Sequence, residues 1–170
     1  VAIDKGVIGT ALPATTLTVE RARLRFFAKA IGEANPVYHD VEAAKAAGHP
    51  DIPAPPTFLF SVELEDPDPF AFLASLGVDL RMVLHGEQSF TYHAIAYPGD
   101  ELVATPRISD VYAKKGGALE FVVKDTAIAR ADGTPIAELQ SVIVVQNPGV
   151  VQNPGVVQNP GVVQNPGVTP

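Results

Sequence analysis

The chain has 170 residues, 46% of them hydrophobic and 18% charged, with no cysteine and no tryptophan. That length suits one domain with its own core, and the missing cysteines exclude a disulfide scaffold, a thiolate nucleophile and thiolate-bound metal. A net charge of −7 repels polyphosphate and anionic lipid, so neither nucleic acid nor membrane is an expected partner.

No apolar signal core opens the chain at Val1–Lys5, and no apolar run nears the roughly 18 residues of a membrane span, so a cytoplasmic protein is expected. The β-branched stretch from Ile8 to Val19 predicts an opening strand that ends at Thr15–Val19. Thr18 is placed to cap a following helix whose apolar face is Leu24, Phe27 and Ile31, with Phe26 and Ala30 beside it. Arg21, Arg23, Arg25 and Lys29 take its wetter side, and Gly32 and Pro36 end it. Asp40 caps a short alanine-rich helix, Val41–Ala47, closed by Gly48. Prolines then open an apolar segment, and Thr57–Leu64 is predicted as a buried helix, since proline fits a helix's first turn. Asp66-Pro67-Asp68-Pro69 reads as a loop, and Phe70–Leu76 as another short helix.

The period then changes. Gln88, Phe90, Tyr92 and Ala94 alternate with Ser89, Thr91, His93 and Ile95 in strand rhythm. Pro98-Gly99-Asp100 turns the chain, and Glu101–Thr105 and Arg107–Tyr112 continue as strand. Lys114-Lys115-Gly116-Gly117 and Ala131-Asp132-Gly133 are hairpin signals, flanking the β-rich stretches Ala118–Ala129 and Ile136–Gln146. Helices followed by an antiparallel meander point to an α+β sheet curled around one buried helix, not to a doubly wound nucleotide fold. From Val145 the hexapeptide Val-Gln-Asn-Pro-Gly-Val repeats four times, ending at Val168. The expected organisation is therefore a domain over residues 1–146 and a low-complexity tail over 147–170 with no independent fold.

The ordered run of Gly32-Glu33-Ala34-Asn35-Pro36-Val37-Tyr38-His39, Ala54-Pro55-Pro56-Thr57-Phe58, His85-Gly86-Glu87-Gln88-Ser89-Phe90 and Pro98-Gly99-Asp100 resembles the MaoC-like dehydratases, specifically their N-terminal half-domains. The resemblance covers about Ile8 to Val145. It implies a hot-dog fold, an antiparallel sheet wrapped around a central helix, working as a dimer of such units. It also implies hydration or dehydration between 2-enoyl and 3-hydroxyacyl thioesters, on coenzyme A or acyl carrier protein, with no cofactor.

Such a reaction needs a base at the α-carbon, an acid at the leaving hydroxyl, and donors for the thioester oxygen. In active members of that family these come from Gly-Asp-x-Asn-Pro-x-His and from a helix N-terminus after Ala-His-Gly. Here Glu33 holds the acidic position and Asn35 is kept, but Tyr38 stands at the histidine position and His39 arrives one residue late. In an extended loop that slip turns a side chain to the other face. Pro56 stands where the donating glycine would be, and proline has no N–H. Glu33, Asn35 and His39 are thus a degenerate catalytic set. Phe58, Phe60, His85, Gln88 and Phe90 are the candidate substrate-binding residues, while Leu59 can line the same pocket. Arg81, Lys114 and Lys115 can supply part of a coenzyme A phosphate cluster.

His49 and His93 read as surface or cross-strand residues. The histidine spacings and the proline-broken aspartates make no metal site. Three functions stay open: a subunit that shapes the acyl pocket beside a catalytic MaoC-like partner, a self-sufficient homodimeric hydratase using Glu33 and His39, and a non-catalytic acyl-CoA-binding module.

Overall fold

A computed structural model describes residues 2–147; the tail repeats beyond Asn147, for which no independent fold is expected, lie outside the described residues. Strand β1 (Thr15–Thr18) leads into helix α1 (Arg21–Ala30) and helix α2 (Val41–Ala46). A 3-10 helix, Pro56–Glu65, and a short α3 (Ala71–Ser75) follow. The chain then makes β2 (Val83–Tyr92), β3 (Glu101–Lys114), β4 (Leu119–Arg130) and β5 (Pro135–Gln146). The five strands form one antiparallel sheet in the order β1-β3-β4-β5-β2.

Both hairpins form where their glycines predict them. Lys115, Gly116 and Gly117 take φ of 52°, 62° and 93° between β3 and β4, a left-handed run that a pair of glycines relieves of Cβ strain. Between β4 and β5, Gly133 has φ 88° and Asp132 accepts a bond from Thr134 N at 2.9 Å. The inner face of the sheet curls over the Pro56–Glu65 helix. Leu17, Leu24, Phe58, Val62, Leu102 and Leu139 are buried together there, while Leu73 of α3 joins Ile108, Val122 and Ile143 in a second cluster. This is the hot-dog arrangement.

Several elements differ from expectation for local reasons. The central helix is 3-10, ten residues long, well beyond the usual 3–4 residues of that geometry. Two prolines start it, and neither has an N–H to give. Thr18 does not cap α1. It pairs with Glu101 as the last residue of β1, and the N-cap is Glu20, whose side chain makes no capping bond. On α1 only Leu24 and Ala28 are buried, whereas Phe26 is 75% and Ile31 53% exposed. Phe27 packs beside them against the core, as expected, but Ile31 already lies past the helix end, where Gly32 turns the chain at φ 73°.

The expected break at Pro106 is absent, because β3 runs through it. The Pro106 carbonyl accepts from Leu12 N, so the edge of β3 that lacks an N–H faces the sheet's β1 side. β1 has already ended there, and proline is tolerated. Among the described residues no helix is long and apolar enough to cross a membrane.

Candidate functional site

The loop after α1 closes on itself. Glu33 N donates to Ala28 O at 2.9 Å, and the Glu33 carboxylate accepts from Asn35 N at 2.8 Å. Asn35 Oδ1 accepts from Val37 N and caps a 3-10 turn over Pro36–Tyr38. The loop is thus a tight turn and not extended, contrary to expectation. His39 folds back within it: Nε2–H donates to the Glu33 carbonyl at 2.6 Å, which leaves Nδ1 to accept. Arg25 Nε donates to the His39 carbonyl at 2.7 Å and pins the turn to α1. Glu33, Asn35 and His39 are brought together, but each spends a polar group on local structure.

A pocket of about 230 Å3 sits at the start of the central helix, lined by Ala54–Pro56, Leu59 and Tyr92–Ala96. Ala54 N donates to Ala96 O at 2.9 Å, tying the helix entrance to the segment after β2. Phe58 N is already bonded to Pro55 O, so Thr57 is the first helix residue able to offer an N–H outward. Neither Glu33 nor His39 lines this pocket. Its polar side chains are Tyr92, whose hydroxyl pKa is raised by burial, and His93, 3.8 Å from Glu138 across the sheet. Alternation alone gave no sign of this pairing, because it depends on where β2 stops relative to the helix.

Beside it, the inner face of β2 carries most of the candidate substrate residues. A β-bulge between His85 and Glu87 resets the register, so that His85 opposes Ile143 and Gln88 opposes Ser141. Ile143 and Ser141 point the same way along β5, so the bulge puts His85 and Gln88 on one face. His85 packs on Phe60 with ring centroids 5.6 Å apart, and Gln88 accepts from Ser141 Oγ at 2.6 Å. Phe90 follows on that face and stacks on Tyr92 at 5.7 Å. Phe58 lies elsewhere: it is buried in the core with its ring edge-on to Phe27 at 5.4 Å.

The basic candidates do not converge. Arg81 is bound by Asp79, whose carboxyl it holds down at about 2. Lys114 lies over the rings of Tyr112 and Phe121, at 5.4 and 5.0 Å, and Lys115 sits in the hairpin turn. His49 Nδ1 meets the Tyr97 hydroxyl at 2.9 Å. Two ion pairs hold α1 in place. The Arg21 hydrogen bond lowers the Asp51 pKa, and the Arg23 hydrogen bond lowers that of Glu65, at the end of the central helix.

Residues 6–139 match the family described as FAS1-like, dehydratase domain region. A UPF0336 protein of Saccharopolyspora erythraea is 34% identical over 145 residues, covering 85% of this chain and 92% of its own. Among solved structures, the HadBC (3R-hydroxyacyl-ACP dehydratase) complex of Mycobacterium tuberculosis superposes with a TM-score of 0.68 at 25% identity, over 81% of this chain and 96% of that one. The ChsH1-ChsH2 complex of the same organism gives 0.67 at 25% identity, over 80% and 84%. With a hot-dog sheet, a motif loop after α1 and a pocket at the head of the central helix, the chain belongs to the FAS1-like dehydratase-domain family.

Proposed function

We propose that this chain is the acyl-pocket half of an acyl-thioester hydratase or dehydratase, paired with a hot-dog homologue that carries the acid and base. The observation behind this reading is the separation of the two halves of the chemistry. The pocket at the helix start is lined by neither Glu33 nor His39, and two prolines head the helix that would stabilise the thioester oxygen. The two Mycobacterium tuberculosis complexes supply a precedent for pairing. In this reading Phe60, His85, Gln88 and Phe90 contact the acyl chain along the inner face of β2, beside the partner. Phe58 shapes that wall from behind. The substrate is a 2-enoyl or 3-hydroxyacyl thioester of coenzyme A or acyl carrier protein.

The test is hydration of crotonyl-CoA by the chain alone and by the chain co-expressed with a catalytic MaoC-like homologue. Losing one oxyanion donor costs about 10²–10³ in rate, and losing an acid or base about 10²–10⁴. The chain alone should therefore stay near background, and His39→Ala should change little. Changing the partner's motif histidine should abolish activity of the pair. A second reading, a homodimeric hydratase, is favoured by the His39 geometry, whose Nδ1 is left able to take a proton. Brisk hydration by the lone chain, lost in Glu33→Gln and His39→Ala, would install that reading instead.

A further inference from the structure

Most cations of this chain have a carboxylate partner. Lys124 pairs with Glu63 inside the sheet, Arg81 with Asp79, Arg130 with Asp100, and Arg107 with Asp125 across β3 and β4. Helix α1 is different. Its ten residues include Arg21, Arg23, Arg25 and Lys29, four of the chain's 12 basic residues, and no acidic one. Arg21 and Arg23 are paired with Asp51 and Glu65, but Arg25 and Lys29 have no carboxylate in ion-pair reach among the described residues. The acidic residues that flank the helix are engaged elsewhere. Glu33 and Asp40 accept from the backbone N–H groups of Asn35 and Ala43, and Glu20 acts on Arg23.

Beside these two cations stands Phe26, 75% exposed on the side of the helix opposite the buried Leu24 and Ala28. A single exposed apolar side chain is ordinary. An exposed ring flanked by unpaired cations is the composition of an interface, where aromatic residues and arginine are enriched. Ala22 and Ala30, one turn before and after Phe26, are short, so the ring projects as a knob. Arg25 and Lys29 follow one another a turn apart along its flank. Phe27 meets Phe58 edge-on, and Phe58 is the third residue of the central helix. This turn of α1 therefore lies by the end of the central helix that carries the Pro55–Pro56 pocket, while Arg23 reaches Glu65 at the other end. No α1 residue lines that pocket.

We infer that the outer face of α1 docks an acidic acyl carrier protein, with Phe26 entering an apolar cleft of the carrier and Arg25 and Lys29 meeting carboxylates at its rim. This rests on the acyl-thioester reading and deepens it, naming a protein-borne thioester as the substrate in place of a coenzyme A thioester. Charge selects the partner. Without the four cations of α1 the net charge of −7 would fall to −11, so the rest of the surface repels an acidic protein and this face orients the encounter. Shape separates the carrier from coenzyme A. Small-molecule sites are concave, whereas a ring projecting from a helix offers a nucleotide no wall to enter and offers a cleft-bearing protein an anchor. A carrier docked there stands beside the pocket that its acyl chain must enter.

The experiment is titration of the isotope-labelled full-length chain with a bacterial acyl carrier protein loaded with crotonate, followed by backbone-amide NMR shifts. Crotonyl-CoA is titrated in parallel. Saturable shifts across residues 22–31 are expected with the carrier, weakened by added salt and absent there with crotonyl-CoA. Phe26→Ser should weaken carrier binding about tenfold, as loss of an aromatic anchor does. Lys29→Glu should weaken it several-fold and flatten its salt dependence. Both variants should keep the fold, because neither side chain is buried. No shifts on α1 at millimolar carrier, or unchanged affinity in both variants, would overturn the assignment. Equal α1 shifts with crotonyl-CoA would overturn it in favour of a phosphate site, and α1 shifts on concentrating the chain alone would give the face to a second copy. Crotonyl-CoA also reports separately on the acyl pocket, through the amides of 57–59 and 92–96. Silence there while the carrier still moves α1 would count against the pocket and leave the docking face standing.

Discussion

Single residues decide what each face of β2 offers. Gly86 is the clearest case. A Cβ there would stand 2.7 Å from Val144 Cγ2 and 3.1 Å from the Val142 carbonyl, closer than ordinary packing permits. Gly86→Ala must push β5 aside or undo the bulge, and overpacking of this kind costs about 1–3 kcal/mol. A lower urea midpoint with an unchanged m-value should show it, together with altered chemical shifts at His85 and Gln88. An unchanged midpoint would mean that the bulge has slack that the geometry does not show. The sequence makes these residues visible as a motif, His85 to Phe90. It does not reveal that His85 and Gln88 share a face, because strict alternation sets residues three apart on opposite sides and only the paired strand exposes the bulge. The Glu63–Lys124 pair was equally hidden, since its members are far apart in the chain and meet only when the sheet closes over the helix.

At the level of elements, hairpins were the most legible and helix ends the least. Gly116-Gly117 and Asp132-Gly133 dictate their turns locally, whatever surrounds them. On α1 the expected face holds at Leu24 and Phe27, which pack on the core, and fails at Ile31, which lies past the helix end, while Ala28 joins the inward side unannounced. The ion pairs of Arg21 with Asp51 and Arg23 with Glu65 link the helix to the segments around it. Leu24→Ala should therefore cost about 2–5 kcal/mol, the usual range for a buried leucine. Phe26→Ser should cost little, because that ring is 75% exposed. Thermal or urea unfolding of the two variants side by side checks the contrast. A Phe26→Ser protein as unstable as Leu24→Ala would show that α1 turns its Phe26 side inward.

For the whole molecule, the sheet order leaves β2 and β1 as its edges. β1 spans only four residues, whereas β2 spans ten and carries exposed Leu84 and Tyr92. A long edge strand with apolar side chains invites pairing. β2 is therefore the expected seam, with the partner's strand extending the sheet. Sedimentation should give a dimer, either of two copies or with the catalytic homologue. Leu84→Lys should shift the weight toward monomer without lowering the intrinsic stability of the fold. A monomer at micromolar concentration, with and without the homologue, would remove this surface from consideration.

The same strand order has a kinetic corollary. β3, β4 and β5 follow one another through two short turns, so their pairing closes small loops. β1 and β2 instead pair with strands that lie far along the chain, across all the helices or across the meander itself. Loop-closure entropy makes such distant pairings late events. The meander is the expected folding nucleus, and the two sheet edges are completed last. Val122→Ala in β4 should slow refolding, whereas Leu17→Ala in β1 should chiefly speed unfolding, and stopped-flow φ-values distinguish the two. A nascent chain would then hold a formed β3–β5 core before the edge that receives a partner exists, which orders subunit docking after folding instead of alongside it.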